Sequence, residues 1–272
     1  MTNFTNQQKA ILFWNSLSQN SQRKALKLIE KYDLVHAIHP TTGEYPLSIA
    51  AKRGLFFVCE ALLQHRADPN SEDQKTGRTP LLSVILDGRY RKDGTKILQL
   101  LLKHGADPNR RISVIAQTTP FLVACRTHMR DFSDKMSTLI NSGAHIETFD
   151  SLGARAAHYG ATNSAANMRA LVKLGVPVDV KNDRGETPLH IATQTNDAEL
   201  FQVLLSAGCD PRVRNNAGFT AMDTRLMEVG SEQTVDVREQ MVSRWIRRQL
   251  KKEAMATREN LGTKTKAKPR LF

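Results

Sequence analysis

The chain has 272 residues, of which 40% are apolar and only 6% aromatic, and no apolar run approaches the roughly 18 residues that a membrane-crossing helix needs. The run at 10–14 is too short for the core of a secretory leader and lacks the basic stretch that precedes one, so no membrane span and no leader are expected. The net charge of +12 is uneven: residues 238–272 hold eleven Lys and Arg against three Glu, a balance of +8, while the other 237 residues carry +4.

Residues 1–40 read as a helical pair. Ala10, Ile11, Trp14 and Leu17 recur at three- to four-residue spacing, and Asn20 and Ser21 can cap a second helix that buries Ala25, Leu26, Leu28, Ile29 and Tyr32. A turn at 40–43 follows. From there to residue 223 one wording returns. It is clearest as Gly185-Glu-Thr187-Pro188-Leu189-His190-Ile-Ala192, followed by an apolar helix that stops at Gly208. Gly185 and Gly218 are 33 residues apart, as are Thr187 and Thr220. Earlier copies start at Gly43-Glu-Tyr-Pro46-Leu47, Gly77-Arg-Thr79-Pro80-Leu81, Thr119-Pro120-Phe121 and Gly153-Ala-Arg-Ala-Ala-His158. Their second helices close at Arg66, Gly105, Gly143 and Gly175. A fixed period of this size marks a repeat architecture.

Each residue type has a local reason. Gly supplies a positive φ before the helix, Thr caps it, and Pro at its first position gives up an N–H that has no partner. Gly after the second helix ends it, and Arg66 in that position must strain or end its helix differently. The wording resembles the ankyrin repeat. The resemblance covers residues 43–223 strongly and the flanks weakly. It implies an all-α solenoid of stacked helix pairs with short β-hairpin fingers, about five full repeats between terminal capping units. It also implies that His158 and His190 tie adjacent units together. The divisions expected are an N-terminal helical cap at 1–40, repeats at 41–223, a capping helix at 224–257 and a basic disordered tail at 258–272.

Ankyrin-like stacks are protein-binding scaffolds, so the resemblance implies a protein partner, taken by the finger tips and the concave first helices, and a monomeric chain. The tips fall near 72–75, 110–113, 150–151, 182–184 and 214–216. Departures from the period mark where this chain differs. From the Thr position to the closing Gly position the first and fifth repeats span 21 residues, the second 26 and the third 24. The extra residues fall between paired helices, at 87–94 and 126–134, and the finger from Gly105 to Thr119 is also long. Insertions in neighbouring units stack on one edge. They offer Arg89, Tyr90, Arg91, Lys92, Arg126, His128 and Arg130, with Phe132 as an apolar anchor, while the long finger separately carries Arg110 and Arg111. Arg and aromatic residues are the types enriched at interface hot spots, although surface loops also tolerate polar insertions at little cost.

No phosphate loop, zinc-protease motif, nucleophile elbow or paired Cys motif is present, and no cofactor, metal ligand or catalytic residue is assigned. Cys59, Cys125 and Cys209 match no metal spacing and read as reduced thiols. Together with the missing leader this places the protein in the cytoplasm, with the nucleus or secretion as an effector into a host cell as alternatives. At the C-terminus, Val237, Met241, Val242, Trp245, Ile246 and Leu250 form a helical stripe. The basic residues beyond it, Lys251, Lys252, Lys264, Lys266, Lys268 and Arg270, give a second reading, salt-dependent attraction to nucleic acid or another acidic partner.

Overall fold

The computed structural model describes residues 5–87, 92–111, 117–129, 131–195, 197–223 and 232–264. Helices come in consecutive pairs: α1 (Asn6–Ser18) with α2 (Gln22–Lys31), α3 (Pro46–Arg53) with α4 (Phe56–Gln64), and α5 (Pro80–Leu86) with α6 (Gly94–Lys103). Then follow α7 (Pro120–Arg126) with α8 (Phe132–Asn141), α9 (Ala156–Gly160) with α10 (Ala165–Lys173), and α11 (Pro188–Gln194) with α12 (Ala198–Ser206). A long final helix, α13 (Glu232–Lys264), packs on α12. First helices stack in one layer and second helices in the other, each touching its neighbour in the next pair.

The local chemistry expected from the sequence is present. Thr79 and Thr119 accept the N–H of Leu82 and Leu122, and Pro opens α3, α5, α7 and α11. Gly105, Gly143, Gly175 and Gly208 take positive φ after the second helices, and Arg66 is forced into the same conformation at φ 64°. The core is one strip running from Phe13 in the first pair to Ala221 beyond the last, with Ala50, Ala51, Ala124, Ala156, Ala157 and Ala192 closing the gaps between helices.

Four details differ from the sequence reading. In α1 the buried face is Phe13, Trp14 and Leu17, with Ile11 left exposed, because the apolar spacing 10, 13, 14, 17 fits the second pair better. In α13 the packed face is shifted by one residue. Arg238 is buried while Val237 and Leu250 are exposed, and Met241, Val242, Trp245 and Ile246 lie half-buried. The same helix runs to Lys264 instead of ending at 257. Residues 253–261 contain no Gly or Pro and are rich in good helix formers, and the first Gly is Gly262. The fingers, finally, carry isolated bridges in place of longer ladders, among them Phe149–Arg155 and Arg214–Thr220. Their turns are closed by side chains instead. Asp150 Oδ1 accepts from Leu152 and Ala154, Asn182 Oδ1 from Arg184 and Glu186, and Asn215 Oδ1 from Ala217 and Phe219.

Candidate functional site

Successive fingers are tied into one edge, by backbone bonds at three junctions and by side chains on either side of the third finger. The N–H of Gln74 donates to Gly43 O, that of Asp183 to Leu152 O and that of Asn216 to Arg184 O, each at 3.0 Å. The His ties add to this. In α9, His158 Nδ1 accepts the N–H of Arg155, which leaves Nε2–H to donate to Glu186 O at 2.9 Å in the following finger. His190 repeats the arrangement with Thr187 N–H and Phe219 O. Burial holds both imidazoles below the usual His pKa, so both stay neutral as the geometry requires.

On this edge lie Arg110 and Arg111. Arg110 Nε reaches Glu72 Oε1 at 2.7 Å, across to the preceding finger. Arg111 donates to Gln117 O at 3.0 Å and to Phe149 O at 3.1 Å, and its guanidinium lies 5.6 Å from the Phe149 ring. Arg155 sits over the same ring, also at 5.6 Å, and donates to Glu147 O. Phe149 is nonetheless 48% exposed, and Leu152 beside it 56%. The sequence reading missed Phe149 because its repeat has normal spacing. The available signal was its place six residues after Gly143, where Arg111 follows Gly105.

The inter-helix loops stand at the opposite end of the first helices. α7 starts at the finger, with its Thr119 cap, and ends at Arg126. Lys92, Arg126 and His128 are exposed there, and Arg89, Tyr90, Arg91 and Arg130 lie outside the described residues. Lys92, Arg126 and His128 therefore stand on a different edge of the stack from Arg110 and Arg111 of the long finger. Phe132 is not an available anchor. It opens α8 at 6% exposure, packed into the core, because the helix start turns it inward beside Met129 and Met136.

In the C-terminal helix, Arg244, Arg247, Arg248, Lys251 and Lys252 are all exposed. At 100° per residue they share one face. The side chains of Lys264, Lys266, Lys268 and Arg270 lie outside the described residues. Arg238, counted with the basic tail on the sequence, has a different role. At 1% exposure it donates to Thr193 O at 3.2 Å and Thr195 O at 2.7 Å, and its guanidinium lies 5.6 Å from Phe201. It closes the end of α11 as Asn163 closes that of α7, through Cys125 O and Thr127 O. Arg212 stacks on Trp245 at 5.5 Å and pins the same helix from the other side. The three thiols are buried and free, and burial pushes that of Cys209 up to about 12. Among the described residues no His, Cys, Asp and Glu group could hold a metal ion, and no helix is long and apolar enough to cross a membrane.

Stacked helix pairs joined by side-chain-closed fingers define a helical-repeat solenoid. The family described as ankyrin repeats (3 copies) matches residues 17–112, 121–215 and 158–235. The chain belongs to the ankyrin-repeat family. It is 33% identical over 153 residues to human neurogenic locus notch homolog protein 1, a stretch that is 56% of this chain and 6% of that protein. It thus spans about 6% of the length of the curated relatives of this kind that it matches. Among solved structures, the human ASB11 ankyrin repeat domain superposes with TM-score 0.69 at 21% identity, covering 83% of this chain and 96% of that one. An ankyrin repeat domain from Acinetobacter baumannii gives 0.60 at 21% identity, covering 74% and 97%. Likeness at this identity shows the fold. Ankyrin repeat domains are a general protein–protein interaction fold, and such scaffolds are generally non-catalytic.

Proposed function

We propose that the chain is a non-catalytic scaffold that binds another protein through its finger edge and the adjoining first helices. In this role it acts as an adaptor, an inhibitor or a delivered effector, as a monomer, in the cytoplasm or nucleus. One observation carries the reading. The fingers are fixed to one another by backbone hydrogen bonds or, around the third finger, by the side chains of Arg110 and Arg111, while presenting exposed Arg and aromatic side chains. A surface ordered before binding loses little conformational freedom on association, and those residue types supply most of the binding energy at interfaces. The test is affinity capture with the intact chain beside a variant carrying Arg110→Glu and Arg111→Glu. Partners held by the finger edge drop out of the variant's set, and an unchanged set contradicts the assignment.

A second reading rests on the basic face of α13. Its five exposed cations would neutralise phosphates on duplex nucleic acid. The expected slope of log affinity against log salt is about −4 to −5 on duplex DNA. Replacing Arg244, Arg247, Arg248, Lys251 and Lys252 by Gln should abolish such binding. A binding affinity that ignores either salt or these substitutions contradicts this reading.

A further inference from the structure

We propose that the finger edge takes an extended acidic peptide segment, laid across the third to sixth fingers with an apolar side chain beside Phe149. This rests on the protein-binding reading and gives it a partner chemistry. One position recurs in each of these units, six residues after the close of the preceding second helix. There the chain places Arg111, Phe149, Lys181 and Arg214, and all four are exposed. They fall at equivalent positions of successive fingers, in two contacting pairs whose fingers are joined by the Asp183 N–H to Leu152 O bond. Arg111 bonds Phe149 O and stacks on its ring, and Lys181 Nζ donates to Arg214 O at 3.3 Å.

The cations in this row are already ordered. Arg111 is held by two backbone carbonyls and Arg155 by Glu147 O. Arg214 is held by Gly218 O at 2.6 Å, with the Asp223 carboxylate at 3.5 Å. A guanidinium has five N–H donors, so these bonds leave others for an incoming carboxylate. Holding the fork in place also removes part of the ordering cost of binding. Phe149 and Leu152 supply apolar surface in the middle of the row, and Phe219 supplies a smaller patch near its end.

Geometry then sets the register. Neighbouring helices pack about 8–10 Å apart, and an extended chain rises about 3.3 Å per residue. One finger therefore corresponds to about three peptide residues. The segment that fits has acidic residues at every third position, with a Leu or aromatic residue replacing one of them opposite Phe149. The observations favour a peptide over a nucleic acid. Two guanidinium groups already lie over the Phe149 ring, so a base would have to displace one of them to stack. The exposed Glu147 and Asp183 stand among the same fingers, where they oppose an unbroken run of phosphates.

The test is selection of a randomised twelve-residue peptide display library on the intact chain, followed by fluorescence polarisation with the enriched peptides. The expected result is Asp or Glu at three-residue spacing around one apolar residue. Affinity should fall at least tenfold for Phe149→Ala and for Arg111→Ala, and partly for Arg111→Lys, which keeps the charge but loses the fork. The Gln-substituted α13 variant should bind as the natural chain does. Circular dichroism confirms that each variant is folded. Acidic peptides that ignore Phe149→Ala and Arg111→Ala overturn the proposal, as does preferential binding of a single-stranded oligonucleotide at this row. Enrichment of peptides without acidic spacing that bind the first helices overturns it while leaving the scaffold reading intact. No enrichment at all overturns both.

Discussion

Arg66 shows how far a single position can depart from the pattern without changing the fold. Its left-handed conformation is one that glycine adopts freely and other residues adopt at a cost of about 1–2 kcal/mol. Arg66→Gly is therefore expected to raise stability in urea unfolding by about 1 kcal/mol, and a loss of stability would show that the Arg side chain makes a compensating contact. The two His ties give a pH dependence of defined sign. Both imidazoles are neutral when folded and have lowered pKa values, so their stabilisation is complete above the ordinary His pKa of about 6.5. It is lost as pH falls through that value toward the lower folded one, because the unfolded chain takes up protons first. Thermal unfolding from pH 7.5 to 5 should show a fall that is smaller in the double variant His158→Leu, His190→Leu. An equal fall in both proteins would contradict the assignment. These ties and the Thr caps were legible in the sequence because they act over three residues or belong to the repeated wording. Arg238 was not. Its partners lie 43 and 45 residues away, and a buried role for one Arg among eleven basic residues becomes apparent only once the helices are stacked.

The helices and their order follow from the sequence, since Pro opens α3, α5, α7 and α11 and Gly follows α6, α8, α10 and α12. The register of the two terminal helices does not, because it depends on which face the neighbouring unit leaves open. In α13 the choice is settled by Arg238 and by Trp245 under Arg212. Arg238→Ala leaves two carbonyls at the end of α11 without their charged donor, at a cost of about 3 kcal/mol. The loss should be local. Hydrogen exchange is expected to show lost protection in α13 and α12 with little change in α3 to α8, as stacked units communicate mainly with their neighbours. Uniform loss across the chain would contradict the view of α13 as a separately docked closing element. The candidate surface was half legible for the same reason. The insertions and the long finger stood out against the period, which led to Arg110 and Arg111 but also to Phe132, whose helix turns it into the core. Phe149 lies in a unit of normal length, and nothing but its equivalence to Arg111 marks it.

At the scale of the whole molecule, the stack separates two charged regions by sequence and by setting. One is the finger edge, where Arg111, Lys181 and Arg214 alternate with acidic and aromatic groups. The other is the face of α13, where five cations follow one another without an acidic residue among them. The first is suited to a partner of mixed character and the second to a uniformly anionic one. Partner binding is assigned to the first. Its most direct test is hydrogen–deuterium exchange of the intact chain, alone and with a partner recovered by affinity capture. Protection is expected in the fingers at 105–111, 117–119, 147–155, 181–187 and 213–220 and in the adjoining first helices, with the second helices unchanged. Protection confined to α13 or to the second helices would contradict it.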